Sequence, residues 1–145
     1  MKLTKSFMKN NIIIDTNVIV SVLISNNPLS PTFKCLEYIF SGQAKLYYSN
    51  EIFQEYTDVL NRPKFNFNKE LINNFLQEIA NVGVLSDYTK SNTKLIDKKD
   101  QPFYDLLMSL SKINCQLVTG NIKHYPNQDN IETPKDMVKI INKGL

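Results

Sequence analysis

Cysteine, histidine and tryptophan are nearly missing from this chain, which has two cysteines, one histidine and no tryptophan. Cys35 and Cys115 lie far apart in the sequence, so they cannot form a Cys-x-x-Cys zinc site, and we expect both to be small buried apolar residues. No apolar run is long enough for a signal peptide or a membrane span, and Asp15 interrupts the first one. These absences predict a cytoplasmic protein that does not enter a membrane.

Glycine, proline and arginine are also scarce. The 145 residues include four glycines and six prolines, and Arg62 is the one arginine among 17 basic residues. With 42% hydrophobic residues, this composition predicts one domain over residues 1–145, in which residues 1–10 form a flexible basic N-terminus. The net charge of +3 is carried almost wholly by lysine, and it permits nucleic-acid binding without requiring it.

Short apolar runs alternate with amphipathic stretches along the chain. The apolar runs predict strands at 12–14, 45–48, 82–85, 116–118 and 131. Stretches with apolar residues three or four positions apart predict helices, at 18–24, 30–42, 49–63, 68–79, 100–110 and 134–141. This alternation predicts an α/β domain with a mostly parallel sheet, in which 82–85 is an edge strand.

The first predicted strand runs directly into the polar residues of Ile14-Asp15-Thr16-Asn17. Open parallel sheets bind ligands at the carboxyl ends of their strands, so a carboxylate and an amide in this turn suit a binding site. A later strand runs likewise into Thr119-Gly120-Asn121, and the two turns can meet if their strands are neighbours. The alternative for Asp15 is a helix cap, whose side chain takes up free backbone N–H groups.

The helix that begins after Ser49 carries two glutamates with different explanations. Glu51 stands near the helix start, where the helix dipole already favours a carboxylate. Glu55 lies one turn later among apolar neighbours. Glu55 is therefore the better candidate for a site residue.

Three more carboxylates surround the start of the fifth predicted helix, at Asp97, Asp100 and Asp105. Asp100 suits either an N-cap, with Pro102 in the first turn, or a metal ligand, and a carboxylate with two oxygens can serve both roles. Oxygen ligands from separate elements, without a cysteine cluster, describe a site for a hard cation such as Mg²⁺ or Mn²⁺. Such a cation could activate water for attack on a phosphodiester.

Basic residues near these positions have two interpretations. Four lysines are candidates to hold the backbone of a polyanionic substrate, namely Lys64, Lys98, Lys99 and Lys123. A run of charge is more often only a solvated face. His124 could act as a general acid or base, but a lone histidine beside Tyr125-Pro126 is more often structural.

Four segments, taken together and in this order, resemble the PIN domain family, in the branch that supplies toxins of bacterial toxin–antitoxin pairs. They are Ile-Asp-Thr-Asn at 14–17, Ser49 through Glu55-Tyr56 to Val59-Leu60-Asn61-Arg62-Pro63-Lys64-Phe65, Lys99-Asp100-Gln101-Pro102-Phe103, and Leu117-Val118-Thr119-Gly120-Asn121 with Lys123-His124-Tyr125. The resemblance covers nearly the whole chain, so it is more specific than any one motif.

This resemblance implies a PIN-like three-layer α/β/α sandwich with a central, mostly parallel sheet, and RNA hydrolysis with Mg²⁺ or Mn²⁺. The residues that match the family's metal-binding acids are Asp15, Glu55 and Asp100. Asn17 and Thr119 match its polar supports, and Asp105 is a second candidate for the third acid. Besides an RNA substrate, the implied partners are a small antitoxin protein at the acidic edge and a second copy of the chain.

Asn121 departs from the family pattern, because many relatives carry an aspartate after Thr-Gly. An amide can coordinate through its oxygen or hold a water, but it adds no negative charge, so we expect weaker cation binding. The leading hypothesis is a metal-dependent ribonuclease in which Asn17, Thr119 and Asn121 orient water or metal ligands. The alternatives are a module that binds RNA or a protein without cleaving, and an α/β domain whose acids only cap helices.

Overall fold

The computed structural model describes residues 10–144, which are arranged around one parallel sheet. Its strands are β1 (Asn10–Ile14), β2 (Ala44–Tyr48), β3 (Val84–Leu85), β4 (Cys115–Val118) and β5 (Ile131–Glu132). They lie in the order β3-β2-β1-β4-β5, and every neighbouring pair is parallel. Apart from Asn10, which begins β1, the predicted flexible N-terminus lies outside the described residues.

Six helices of the described residues cover the two faces of this sheet. They are α1 (Thr16–Ser25), α2 (Pro31–Phe40), α3 (Asn50–Leu60), α4 (Lys69–Val82), α5 (Gln101–Ser109) and α6 (Pro134–Gly144), and a short 3-10 helix (Ile122–His124) follows β4. Helix α2 contacts α1 and α6, while α3 contacts α4 and α5. The predicted PIN-like α/β/α sandwich with a central parallel sheet is confirmed. Within residues 10–144, none of the helices has the length and apolar character needed to cross a bilayer.

The centre of the sheet is the most deeply buried part of the molecule. Ile12, Ile13 and Ile14 of β1 have no exposed surface, as expected for a parallel strand covered on both faces. Cys35 and Cys115 are buried as predicted, and burial raises the pKa of each thiol to about 12. Neither thiol is therefore a nucleophile near neutral pH.

The predicted edge strand at 82–85 is shorter than expected. Helix α4 continues through Val82, and β3 begins only at Val84. Gly83 makes the change of direction where space is tight, because a Cβ there would lie 2.7 Å from the Tyr48 ring and 2.8 Å from the Ile79 carbonyl oxygen. The edge position of this strand is as predicted.

Several helices begin with a side chain that accepts a backbone hydrogen bond, as an N-cap does. These are Ser30 before α2, Ser49 before α3, Asn68 before α4 and Thr133 before α6. Each satisfies a backbone N–H that has no partner within its own helix. The starts of α1 and α5 are built differently, and both contribute to the site described next.

Candidate active site

Asp15 directly follows β1 at the N-cap position of α1, yet its side chain makes no capping hydrogen bond. Its Oδ2 instead accepts a hydrogen bond from Thr119 Oγ1 at 2.8 Å and another from the Tyr125 hydroxyl at 2.9 Å. Both donors come from the segment after β4, the strand that pairs with β1. The helix-cap alternative therefore does not describe Asp15, whose carboxylate joins two neighbouring parts of the sheet edge.

The Asp15 carboxyl group is held in an unfavourable place for a charge. Only 5% of the residue is exposed, and this burial raises the pKa of the carboxyl group. The hydrogen bonds from Thr119 and Tyr125, the backbone N–H of Thr16 and the charge of His124 act in the opposite direction. Within residues 10–144, both side-chain donors bond Oδ2 of Asp15, and no side chain donates a hydrogen bond to Oδ1.

The hydroxyl of Tyr125 stays a hydrogen-bond donor. Burial, the charges of Asp15 and Asp100, and hydrogen bonding to both carboxylates raise the pKa of Tyr125. Tyr125 thus links two of the predicted acids, a role that the sequence did not suggest. The only available signal was its place shortly after the Thr119-Gly120-Asn121 turn.

Asn17 and the turn after β4 hold each other in place. Oδ1 of Asn17 accepts a hydrogen bond from the Gly120 N–H at 3.0 Å, and a Cβ on Gly120 would lie 3.3 Å from this oxygen. The Asn121 N–H donates to Thr119 Oγ1 at 3.0 Å, so Thr119 is fixed between Asp15 and the turn. The structure therefore brings the three predicted polar residues to the edge that carries Asp15.

Asp100 reaches the same edge from the residue before α5. It makes no side-chain cap, and its Oδ2 lies 3.2 Å from Nδ1 of His124. Burial raises the pKa of its carboxyl group, as do the charges of Asp15 and Asp97, whereas His124 lowers it. The capping alternative thus fails here as well, and Asp100 lies within electrostatic reach of Asp15.

Asp97 and His124 add two possible ligand atoms beside Asp100. One atom from each of the three residues lies within 4.8 Å of the others, the one such group of acidic, histidine or cysteine side chains that residues 10–144 contain. Asp15 and Glu55 are not part of this group. The sequence predicts only a loop at Asp97, and the separation of three residues between Asp97 and Asp100 is its single signal for this group.

Glu55 is half-buried on α3. Desolvation raises the pKa of its carboxyl group, the charges of Lys99 and Arg62 lower it, and the charge of Asp15 raises it. Glu55 therefore lies near enough to Asp15 for their charges to interact. Lys99 is the residue before Asp100 and brings a positive charge to the same place.

Asp105 has different partners from the other acids. It is buried, and its Oδ1 accepts hydrogen bonds from the Ser91 N–H at 3.2 Å, Ser91 Oγ at 2.7 Å and Gln101 Nε2 at 2.8 Å. Its hydrogen bonds within residues 10–144 involve none of the other predicted acids. Asp105 therefore anchors the segment before α5 through Ser91.

The donor atoms at this edge suit a hard divalent cation. Asp15, Glu55 and Asp100 all have raised pKa values, because burial disfavours the charge of each, and the charge of Asp15 adds to this effect at Glu55 and Asp100. A cation would offset both effects, and carboxylate oxygen is the ligand type that Mg²⁺ and Mn²⁺ prefer. The residue types at this edge thus suit such an ion, and the ligand atoms of Asp97, Asp100 and His124 lie close enough together to share one.

A sequence model of the PIN domain matches residues 11–123, a span that includes Asp15, Glu55 and Asp100. No curated protein sequence matches the chain.

Proposed function

Because the chain belongs to the PIN domain family, we propose that it is a metal-dependent ribonuclease. PIN domains are typically metal-dependent nucleases, and they act on nucleic acid. One observation of this chain carries the proposal furthest. Asp15 occupies a helix-cap position without a side-chain cap, and two side-chain donors hold one of its oxygens while no side chain of the described residues holds the other.

Asp15, Glu55 and Asp100 are the proposed ligands of Mg²⁺ or Mn²⁺. A bound ion of this kind activates water and neutralises charge on a phosphodiester. Thr119 and Tyr125 orient the Asp15 carboxylate, and His124 orients Asp100 from 3.2 Å. These hydrogen bonds fix the ligands before substrate arrives, which lowers the cost of assembling the site.

Asn17 and Asn121 have supporting roles in this proposal. Asn17 holds the turn at Gly120, and the Asn121 side chain is exposed beside the site, where its amide can orient water. Since Asn121 contributes no charge, the three carboxylates carry the cation with help from the substrate phosphate. We expect a cation affinity lower than that of a site with four carboxylates.

The resemblance to the toxin branch supports a role as the toxin of a toxin–antitoxin pair. In that role, an antitoxin protein would cover the acidic edge and block access of RNA. A homodimer is part of the same proposal.

Cleavage of a mixed-sequence single-stranded RNA tests the activity directly. Purified protein is incubated with Mn²⁺, Mg²⁺ or a chelator, beside the Asp15→Asn variant. Glu37→Gln, which neutralises an exposed acid of α2, is the matched control. We expect cleavage only with metal, retained in the Glu37 variant and lost in the Asp15 variant.

The second candidate function is a PIN-fold module that binds RNA or a protein without cutting, and the missing charge at Asn121 favours it. Intact RNA under every condition, from protein shown to be folded, would establish this alternative. RNA binding of equal strength with chelator and with metal would support this alternative.

A further inference from the structure

A second feature lies beside the acidic edge, in the segment 86–100 between β3 and α5. Lys90, Lys94 and Lys98 of this segment line one groove with a volume of about 420 Å³. All three residues are exposed. We call this feature the lysine groove.

Hydrogen bonds to α5 hold the backbone that carries these lysines. The Thr89 N–H donates to Ser109 Oγ at 2.9 Å, and the Leu95 N–H donates to Gln101 Oε1 at 2.7 Å. Between them, Asp105 accepts two hydrogen bonds from Ser91. The segment is therefore anchored at three places along α5, and the spacing of the lysines is set before a ligand arrives.

The positive charges of the groove are not neutralised within the protein. In the part of the chain that the structure describes, no carboxylate lies within ion-pair distance of Lys90, Lys94 or Lys98. The acids of the groove are Glu51 and Asp105. Asp105 accepts hydrogen bonds from Ser91 and Gln101. Glu51 forms a hydrogen bond with Tyr88, and burial together with this bond raises the pKa of Tyr88.

Residues of the lysine groove adjoin residues of the acidic edge. Lys98 lines the groove, while the next residue, Lys99, acts on the charge of Glu55. On α3, Glu51 of the groove stands one helical turn before Glu55. A single-stranded RNA with one phosphate at the acidic edge can therefore place its neighbouring phosphates in the groove.

We propose that the lysine groove binds the phosphate backbone of the RNA on one side of the bond that is cut. This inference rests on the proposed function for its choice of ligand. The lysines act as point charges that bind phosphates without contacting bases. The groove therefore raises the affinity for RNA and sets the orientation of the RNA chain, independent of its sequence. Each lysine–phosphate contact releases condensed counterions, which makes binding depend on salt.

The test measures RNA binding separately from cleavage. Every protein carries Asp15→Asn, and binding of a fluorescent mixed-sequence single-stranded RNA is followed by anisotropy in chelator from about 50 to 200 mM KCl. The groove variant combines Lys90→Gln, Lys94→Gln and Lys98→Gln. We expect weaker binding and a log–log salt slope shallower by about 2, since each contact to single-stranded nucleic acid contributes about 0.7.

A matched variant removes the same charge elsewhere. It combines Lys69→Gln, Lys112→Gln and Lys139→Gln, none of which lines the groove. A variant with arginine at the three groove positions keeps the charge, and we expect it to retain the parent slope. Thermal unfolding checks that each protein is folded, and the single variants Lys90→Gln, Lys94→Gln and Lys98→Gln, each expected to reduce the slope by about 0.7, replace the triple variant should it not fold.

Three results would overturn the proposal. They are an Asp15→Asn parent that does not bind the RNA, equal loss in the groove and matched variants, and a groove variant that keeps RNA affinity but loses binding to a polyglutamate peptide. The last result would assign the groove to an acidic protein segment. If the unmutated chain fails to cleave RNA while the groove variant loses its salt slope, the groove assignment stands and the nuclease proposal falls.

Discussion

Two neighbouring turns at the carboxyl edge of the sheet use the same position in different ways. Ser49 follows β2 and caps α3, because its Oγ accepts a hydrogen bond from the Ile52 N–H at 3.2 Å. Asp15 follows β1, the adjacent strand, and also precedes a helix. Its carboxylate, however, turns to Thr119 and Tyr125 instead of α1.

The comparison shows that two residues at the same N-cap position can have different hydrogen-bond partners, which separates the structural residue Ser49 from the candidate site residue Asp15. Aspartate is among the best N-caps, and an unused cap forgoes about 0.5–2 kcal/mol of stability. Asp15 also carries a buried carboxyl group whose pKa is raised. A residue kept at such a cost to stability is best explained by what it binds.

The largest expected effect separates these two residues by activity. Asp15→Asn should lower RNA cleavage by about a hundredfold or more, since it removes a proposed metal ligand. Ser49→Ala should leave cleavage unchanged and lower the free energy of unfolding by about 1 kcal/mol. Initial cleavage rates and urea denaturation of both variants provide the measurements. Equal activity of the two variants would end the distinction between them.

The second prediction extends the comparison to Asp100 and Asp105, which lie on either side of the start of α5. Asp100→Asn should lower cleavage about tenfold or more with little loss of stability. Asp105→Asn leaves donors of Ser91 and Gln101 poorly matched, so it should cost about 2–3 kcal/mol of unfolding free energy. The same two assays decide which carboxylate is the third acid. Loss of activity confined to the Asp105 variant would reverse our assignment.

Removal of one donor to Asp15 should have a smaller effect. Tyr125→Phe keeps the buried ring but takes away the hydrogen bond at 2.9 Å. We expect a loss of about 1–3 kcal/mol in unfolding free energy, because a buried carboxylate loses a partner. Tyr104→Phe, which removes a hydroxyl bonded to Gln128, serves as the control. A Tyr125 variant as stable as the parent would contradict this account.

The smallest effect concerns pH. Because burial raises the pKa of Asp15, the native state binds more protons than the unfolded state between the ordinary value of about 3.9 and the raised one. The free energy of unfolding therefore falls as pH rises through this window, and asparagine lacks this dependence. In chelator, the melting temperature of Asp15→Asn should exceed that of the parent by about 2–4 °C above the window. That excess should shrink as pH falls, and a constant difference from acid to neutral pH would argue against a raised pKa.

Much of the fold follows from local patterns in the sequence. The fully apolar run Ile12–Ile14 predicts a central strand, and Ser30, Ser49 and Asn68 predict helix starts that the structure shows. Val82 was placed in a strand because its apolar neighbours fit either element. The structure ends the helix at Val82 and turns at Gly83, where a Cβ would lie 2.7 Å from the Tyr48 ring, a packing restriction that no local pattern reports.

The candidate site could be predicted only where sheet topology determined it. Asp15 and Thr119 meet because β1 and β4 are neighbours, a condition that the sequence left open. The choice between Asp100 and Asp105 depends on how the segment 86–100 passes along α5. The contact of Tyr125 with Asp15 depends on the irregular turn after β4. Irregular segments carry no periodic signal, so these details required coordinates.

The two edges of the sheet bear on how copies of this chain could associate. Both edge strands, β3 and β5, are only two residues long. Long unpaired edges invite strands of a second molecule to extend a sheet, and very short ones offer few free backbone groups for such pairing. A dimer of this protein is therefore expected to join through helix surfaces rather than through a continuous intermolecular sheet.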